Sequence, residues 1–160
     1  MTFESYTVTP MELYIGADHK GFRMKQDLLL WLQQHGYEAT DVGTHSPSDE
    51  DDYTDYAEHL AYAVAEDPDN RRGILLCGSG VGMAVAANKV PGIRAALIHD
   101  EAIAKDARND DDINVLTLGA EHITGDDAER VIQTFLTTPF SGAERHKRRI
   151  EKIKQLESHE

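Results

Sequence analysis

The stretch that decides the fold is GILLCGSGVGMAVAANK, residues 73–89. Its first five residues are glycine, aliphatic or cysteine with no polar alternation, which is typical of a central parallel strand buried on both faces. Alternate glycines follow from Gly78 to Gly82, and they let the backbone approach a ligand closely. The segment 83–89 then predicts a tightly packed helix. A strand, a glycine loop and a helix in this order favour a site at the carboxyl end of a parallel strand.

The same alternation of strand and helix continues on both sides of this stretch. The predicted strands are 11–15, 37–42, 73–77, 93–98 and 114–118, and the predicted helices are 20–35, 53–65, 83–89, 100–108, 124–136 and 141–157. We predict N-caps at Thr124 and Ser141, and loops at 43–52 and 110–112. Because strands alternate with helices, we expect an α/β fold with a five-stranded parallel sheet covered on both faces.

Composition limits the classes of function. A chain of 160 residues with 40% apolar content suits a single domain, which we place at 11–157 after a flexible tail at 1–10. Its 16 basic and 29 acidic residues give a net charge of -13, which disfavours binding to nucleic acid or to an anionic membrane. No apolar run is long enough to span a bilayer, and the first ten residues show no secretory signal. Cys77 is the only cysteine, so a cytoplasmic location is expected.

Cys77 and the glycine loop form the first candidate site. The positive end of the following helix favours thiolate over thiol, and loop amides can hold an anion. A thiolate beside such amides suits proton abstraction next to a carbonyl. The alternative is a buried structural cysteine followed by a plain turn.

Two further segments carry polar groups suited to binding a ligand. Asp18 and His19 follow the first strand and can bind sugar hydroxyls or move protons, although Asp18 could equally cap the next helix. Arg145 and Arg149 share one helix face and can hold a phosphate, unless they form an ordinary solvated face. The eight histidines lack the spacing of metal ligands, so we expect no metal.

Taken together, these segments resemble the type B ribose-5-phosphate isomerase family, which also contains the subunits of galactose-6-phosphate isomerase. The matching pieces occur in family order: GADHKGF (16–22), DVGT (41–44), DDYTDYA (51–57), GILLCGSGVGMAVAANKVPGIRAAL (73–97), NVLTLG (114–119) and TTPFSGAERHKRRI (137–150). The resemblance implies a three-layer, doubly wound (Rossmann-like) fold in one domain. It also implies interconversion of an aldose phosphate and a ketose phosphate through an enediolate, without metal or cofactor.

The resemblance further implies a homodimer or homotetramer whose active sites are shared between subunits, with the C-terminal helix 141–157 packed on a partner. The implied catalytic residues are Cys77 as base, Ser79 and Asp110. The implied substrate-binding residues are Asp18, His19, Tyr53, Gly78, Gly80, Val81, Gly82 and Asp111, and the implied phosphate-binding residues are Arg145 and Arg149, contributed by the partner subunit.

Three positions depart from the family pattern. Asp110 and Asp111 stand where the family usually has a histidine that assists opening of the sugar ring and an asparagine that contacts substrate. Glu121 stands where the family often has an arginine.

Several readings of the function therefore remain open. One hypothesis is a four-carbon sugar phosphate, which cannot form the usual ring. Another keeps ribose 5-phosphate and uses His99 or His19 to open the ring. A non-catalytic phosphosugar-binding subunit is a third reading, and a nucleotide-binding module rests on fold-level analogy alone.

Overall fold

The structure is a computed structural model that describes residues 10–158. The predicted tail lies outside these residues except for Pro10. Within the described range the strands are β1 (Glu12–Ala17), β2 (Ala39–Asp41), β3 (Arg71–Cys77), β4 (Ala95–Leu97) and β5 (Val115–Gly119). The helices are α1 (Phe22–Gln34), α2 (Tyr53–Ala65), α3 (Val81–Ala87), α4 (Glu101–Asp111), α5 (Gly125–Thr137) and α6 (Glu144–Glu157). None of these helices has both the length and the apolar character needed to cross a bilayer.

All five strands are parallel and lie in the order β2-β1-β3-β5-β4, which confirms the expected α/β class. Helices α1, α4 and α5 cover one face of the sheet, and α2 and α3 cover the other. The strand order reverses between β1 and β3, where the next connection leads to the opposite side of the sheet. Such a switch point leaves a crevice at the carboxyl ends of the two strands, where ligands bind in folds of this class.

The central strand β3 is buried on both faces, as its sequence predicts. Ile74 and Leu76 pack into the core beneath α1, α4 and α5, while Leu75 and Cys77 pack into the core beneath α2 and α3. Each aliphatic side chain of this set is fully excluded from solvent. The alternation of faces therefore directs Cys77, the last residue of the strand, toward α3.

The expected loop at 110–112 is wrong, because Asp110 and Asp111 form the last turn of α4. Asp112 ends that helix with a φ of 49°. The Arg108 guanidinium donates to the Asp112 carboxylate at 2.7 Å and to the carbonyl of Ile113 at 2.7 Å. These contacts with the end of the helix override the turn preference of three consecutive aspartates.

The two predicted N-caps have different outcomes. Thr124 caps α5 as expected, because its Oγ1 accepts the N–H of Asp127 at 3.2 Å. The expected cap at Ser141 is wrong, because α6 begins at Glu144 after Ala143. The Ser141 hydroxyl instead accepts the N–H of Ala143 in a turn before the helix.

Candidate active site

Cys77 lies at the carboxyl end of β3 and is only 6% exposed. Its Sγ accepts a hydrogen bond from the N–H of Gly80 at 3.1 Å. Gly80 has a φ of +76°, a conformation that favours glycine and turns the chain back over the sulfur. The hydrogen bond fixes the sulfur and would stabilise negative charge on it.

The end of β5 holds this loop in place. The N–H of Ala120 donates to the carbonyl of Cys77 at 2.8 Å, and the N–H of Glu121 donates to the carbonyl of Gly78 at 3.1 Å. A Cβ at Gly119 would lie only 2.5 Å from the carbonyl oxygen of Ser79. The loop is therefore packed directly on the backbone of the neighbouring strand.

The outer side of the loop carries exposed polar groups. Ser79 is exposed, and its Oγ accepts the N–H of Val81 at 3.3 Å. The Tyr53 ring lies against Gly82, where a Cβ would come within 2.6 Å of two ring carbons. Among the hydrogen bonds within residues 10–158, the N–H groups of Ser79 and Gly82 are not donors. Both remain available to an oxyanion.

Asp18 and His19 stand beside this loop because β1 pairs with β3 up to its end. The N–H of Asp18 donates to the carbonyl of Leu76 at 3.3 Å. The buried Asp18 carboxylate accepts the N–H groups of Lys20 and Gly21 at 3.0 and 3.1 Å. The alternative of a helix N-cap at Asp18 is wrong in position, because Gly21 is the N-cap of α1, but the carboxylate does stabilise the turn that precedes it.

His19 is held by a carboxylate that the sequence reasoning missed. Its Nδ1 lies 2.6 Å from Asp51 Oδ1, and its backbone N–H donates to Asp51 Oδ2 at 2.9 Å. The hydrogen bond with Asp51 raises the pKa of His19, while partial burial acts in the opposite direction. Asp51 belongs to an acidic run that indicates a solvated loop, and only the folded chain shows that it pairs with His19.

His99 differs from His19 in its protonation. Its Nε2 accepts the N–H of Gly119 at 2.9 Å, so that nitrogen carries no proton. Burial lowers the pKa of His99, and the neighbouring His122 lowers it further. His99 is therefore a neutral imidazole that supports the end of β5.

One group of side chains in the described part of the chain is compact enough to surround a cation. Asp18, His19 and Asp51 each offer an atom within 4.8 Å of the others. The hydrogen bonds given above already satisfy these atoms: His19 pairs with the Asp51 carboxylate, and the Asp18 carboxylate accepts two N–H groups of the following turn. The group is therefore better explained without a cation.

Glu121 lies at the rim of the loop, close to Lys20. Their side chains approach to 3.5 Å, and both are about half exposed. A Cβ at Gly78 would meet both side chains within 3.3 Å. The family's arginine position is thus occupied by a carboxylate that neutralises a neighbouring cation.

The other predicted site residues lie at the opposite end of the sheet, where the strands begin. Asp110 and Asp111 precede β5, whereas Cys77 pairs with the last residue of β5. The five residues of that strand span about 13 Å. The first turns of α6 lie beside Asp110, because His146 Nε2 is 3.6 Å from Asp110 Oδ1. One chain therefore brings the cysteine loop, Asp18, His19 and Tyr53 together, but separates them from Asp110, Asp111, Arg145 and Arg149.

Comparison with known proteins gives matches over nearly the whole chain. The family model described as Ribose/Galactose Isomerase matches residues 13–153. Ribose-5-phosphate isomerase B of Mycolicibacterium paratuberculosis is 39% identical over 147 residues, which is 92% of this chain and 92% of the relative. A probable ribose-5-phosphate isomerase B of Mycoplasma pneumoniae is 40% identical over 141 residues, 88% of this chain and 91% of the relative.

A solved structure agrees with these sequence matches. Ribose-5-phosphate isomerase B of Mycoplasma genitalium with bound ribulose-5-phosphate superposes with a TM-score of 0.90 at 36% identity. The match covers 96% of this chain and 100% of that chain. These comparisons confirm the resemblance, the fold and the expectation that the chain is an isomerase. The chain belongs to the ribose/galactose isomerase family.

Proposed function

We propose that this protein interconverts ribose 5-phosphate and ribulose 5-phosphate through an enediolate. The observation that carries the proposal is Cys77 Sγ at the carboxyl end of the central strand, hydrogen-bonded to the N–H of Gly80 in the glycine loop. The names of the relatives support the choice of the five-carbon substrate.

Cys77 is the base in this mechanism. Its thiolate removes a proton from the carbon next to the substrate carbonyl, which gives the enediolate. The former carbonyl oxygen then gains a proton while the neighbouring hydroxyl loses one, and the thiol returns its proton to the former carbonyl carbon as the new carbonyl forms. Negative charge develops on the carbonyl oxygen as the proton leaves. The N–H groups of Ser79 in the loop and Gly82 in the first turn of α3, both free within residues 10–158, stabilise that charge, so the mechanism uses no metal or cofactor.

The side chains around the loop position the sugar. Ser79 has an exposed hydroxyl that can donate to a substrate oxygen while it accepts from Val81. Asp18 and His19 bind substrate at the end of β1, and Tyr53 covers Gly82. We assign these roles because the four residues surround the crevice at the carboxyl ends of β1 and β3.

A second copy of the chain completes the site in this proposal. Arg145 and Arg149 are exposed, and neither makes an ion pair within residues 10–158. Two guanidinium groups one helical turn apart suit a phosphate, which they can bind by forked hydrogen bonds. Because they lie at the edge opposite Cys77, they reach the phosphate only from a partner subunit, together with Asp110 and Asp111. A homodimer, or a homotetramer built from such dimers, is the smallest assembly that meets this need.

The Cys77→Ser variant tests the proposal. We expect isomerisation of ribose 5-phosphate to fall by about 10²–10⁴-fold, because a positioned proton-transfer group is lost. Exchange of solvent deuterium into ribulose 5-phosphate should fall equally, since both follow the same proton abstraction. An unchanged thermal midpoint would show that the fold is kept. Retained exchange in the variant would rule out Cys77 as the base.

A four-carbon substrate is the second candidate. It is favoured by Asp110, which has a carboxylate where the family usually has the ring-opening histidine, because an open-chain tetrose phosphate needs no ring opening. Turnover of four-, five- and six-carbon aldose phosphates distinguishes the candidates. A clear preference for the four-carbon compound would replace ribose 5-phosphate. Binding of these compounds without deuterium exchange would instead indicate a non-catalytic subunit.

A further inference from the structure

His19 and Asp51 form a side-chain pair that the proposed mechanism leaves without a chemical task. Asp51 holds His19 at two points, through Nδ1 at 2.6 Å and through the backbone N–H at 2.9 Å. The Asp51 side chain is only 10% exposed, whereas His19 is 25% exposed. Tyr56 reaches the same carboxylate at 3.5 Å from α2. The imidazole is therefore held firmly in one orientation but still open to solvent and substrate.

This arrangement determines which nitrogen faces the ligand. Nδ1 shares its proton with Asp51, so Nε2 is the nitrogen left for a substrate. The carboxylates that act on the ring are Asp51, Asp18 and Asp49, and all of them favour the imidazolium. Lys20 is the adjacent cation, and its ammonium is paired with Glu121. His19 thus retains a proton on Nε2 at higher pH than an ordinary histidine.

The other groups suited to ring opening are less well placed in this chain. Asp110, which a partner subunit would bring to the site, has a carboxylate where the family usually has an imidazole. His99 has its Nε2 bonded to the N–H of Gly119, and burial lowers its pKa. His19 follows the strand that lies beside β3, on the same edge as Cys77.

We propose that His19 is the acid that opens the furanose ring of ribose 5-phosphate, and that Asp51 is the positioning residue that holds it. This proposal rests on the proposed function. His19 Nε2 donates its proton to the ring oxygen as the bond between that oxygen and the anomeric carbon breaks. The anomeric hydroxyl gives its proton to water, and its electron pair forms the carbonyl bond. Water then returns a proton to Nε2, which leaves the open-chain aldehyde for Cys77.

The Asp51→Asn variant tests this assignment, with Asp52→Asn as the matched control. Both variants lose one carboxylate from the same loop, but the Asp52 side chain is exposed and makes no capping hydrogen bond. We expect Asp51→Asn to lower kcat/KM for cyclic ribose 5-phosphate by about tenfold to a hundredfold. Deuterium exchange into ribulose 5-phosphate, which is open-chain, should change far less. Asp52→Asn should leave both rates unchanged.

The pH dependence gives an independent readout. Activity on ribose 5-phosphate should fall as pH rises through the pKa of His19, because the acid loses its proton. In Asp51→Asn that fall should move to lower pH, and NMR titration of His19 should show the same shift.

Two results would overturn the assignment while leaving the proposed function intact. One is an equal loss on both substrates, and the other is a His19 titration that Asp51→Asn does not move. A wild-type protein inactive on both substrates would overturn the proposed function, and the role of His19 with it.

Discussion

At the scale of single residues, Gly119 leaves room for the loop of the candidate site because it has no side chain. Its Cα faces the backbone of Ser79, and its N–H supports His99. A methyl group at this position would come within 2.5 Å of the Ser79 carbonyl oxygen and 2.7 Å of its carbonyl carbon. Backbone atoms cannot rotate away as a flexible side chain can. The loop must therefore move if Gly119 gains a Cβ.

We expect Gly119→Ala to lower kcat by at least about tenfold, because displaced amides no longer meet the developing charge. Overpacking should also cost about 1–3 kcal/mol in the free energy of unfolding. Gly125→Ala is the matched control, because a Cβ there meets no atom within 4 Å. Steady-state kinetics and urea unfolding of both variants check the prediction. Equal kinetics in the two variants would show that the loop tolerates the contact.

At the scale of helices and strands, a buried lysine connects α1 to β2. Lys25 is completely buried, and its Nζ donates to Asp41 Oδ1 at 3.0 Å and to the carbonyl of Thr44 at 2.6 Å. The ring of Phe22 lies 5.2 Å from the ammonium. These contacts fix the loop after β2, which leads toward Asp51. An internal ion pair of this kind is costly to break, because the remaining charge has lost its partner.

We expect Lys25→Met to lower the free energy of unfolding by about 3 kcal/mol, since Asp41 and the Thr44 carbonyl lose their donor in a largely buried site. Lys105→Met is the matched control, because Lys105 is exposed on α4 and its loss should cost less than about 0.5 kcal/mol. Urea unfolding at one fixed protein concentration measures both. A variant as stable as the control would mean that the pair contributes nothing.

The comparison of elements with their sequence shows which signals are local. The predicted helix 53–65 coincides with α2, and the predicted strand 73–77 differs from β3 only at its start. Both segments carry a regular apolar pattern. The three aspartates 110–112 indicated a loop because their local preference is for turns. The contact with Arg108 is only four residues away, but the Arg94 guanidinium donates to the carbonyls of Asp111 and Asp112 from a distant loop, and that contact is tertiary. Element type followed from periodicity, whereas helix ends depended on distant partners.

The candidate site divides in the same way. Cys77 and its glycine loop could be predicted because strand, loop and helix are consecutive in sequence. Asp51 could not, because it lies 32 residues from His19 and looks like part of a solvated acidic run. The roles of Lys20 and Glu121 were equally hidden, since their pairing depends on the meeting of β1 and β5 with β3. Contacts between loops at the same edge of a sheet carry no local sequence signal.

At the scale of the whole molecule, the proposed site residues occupy both ends of one sheet. Cys77, Asp18 and His19 lie at or just after the carboxyl ends of strands, while Asp110 and the first turns of α6 lie where β5 begins, and β5 alone is about 13 Å long. No rotation of side chains spans that distance. The proposed mechanism therefore requires two subunits: one contributes the residues at the carboxyl ends of its strands, and the other contributes Asp110 and the arginines of α6.

This requirement predicts complementation between two inactive variants. Cys77→Ser removes the base at the carboxyl ends of the strands, and Arg149→Ala removes a phosphate-binding residue at the opposite ends. If subunits exchange at random, about half of the dimers contain one copy of each variant. Each hybrid dimer has one intact site out of two, so about a quarter of the wild-type activity should return. The matched control mixes Cys77→Ser with Asp18→Asn, since both variants change residues at the carboxyl ends of the strands and no hybrid site is intact. Activity after joint unfolding and refolding measures recovery. Recovery in both mixtures, or in neither, would contradict a site shared between subunits.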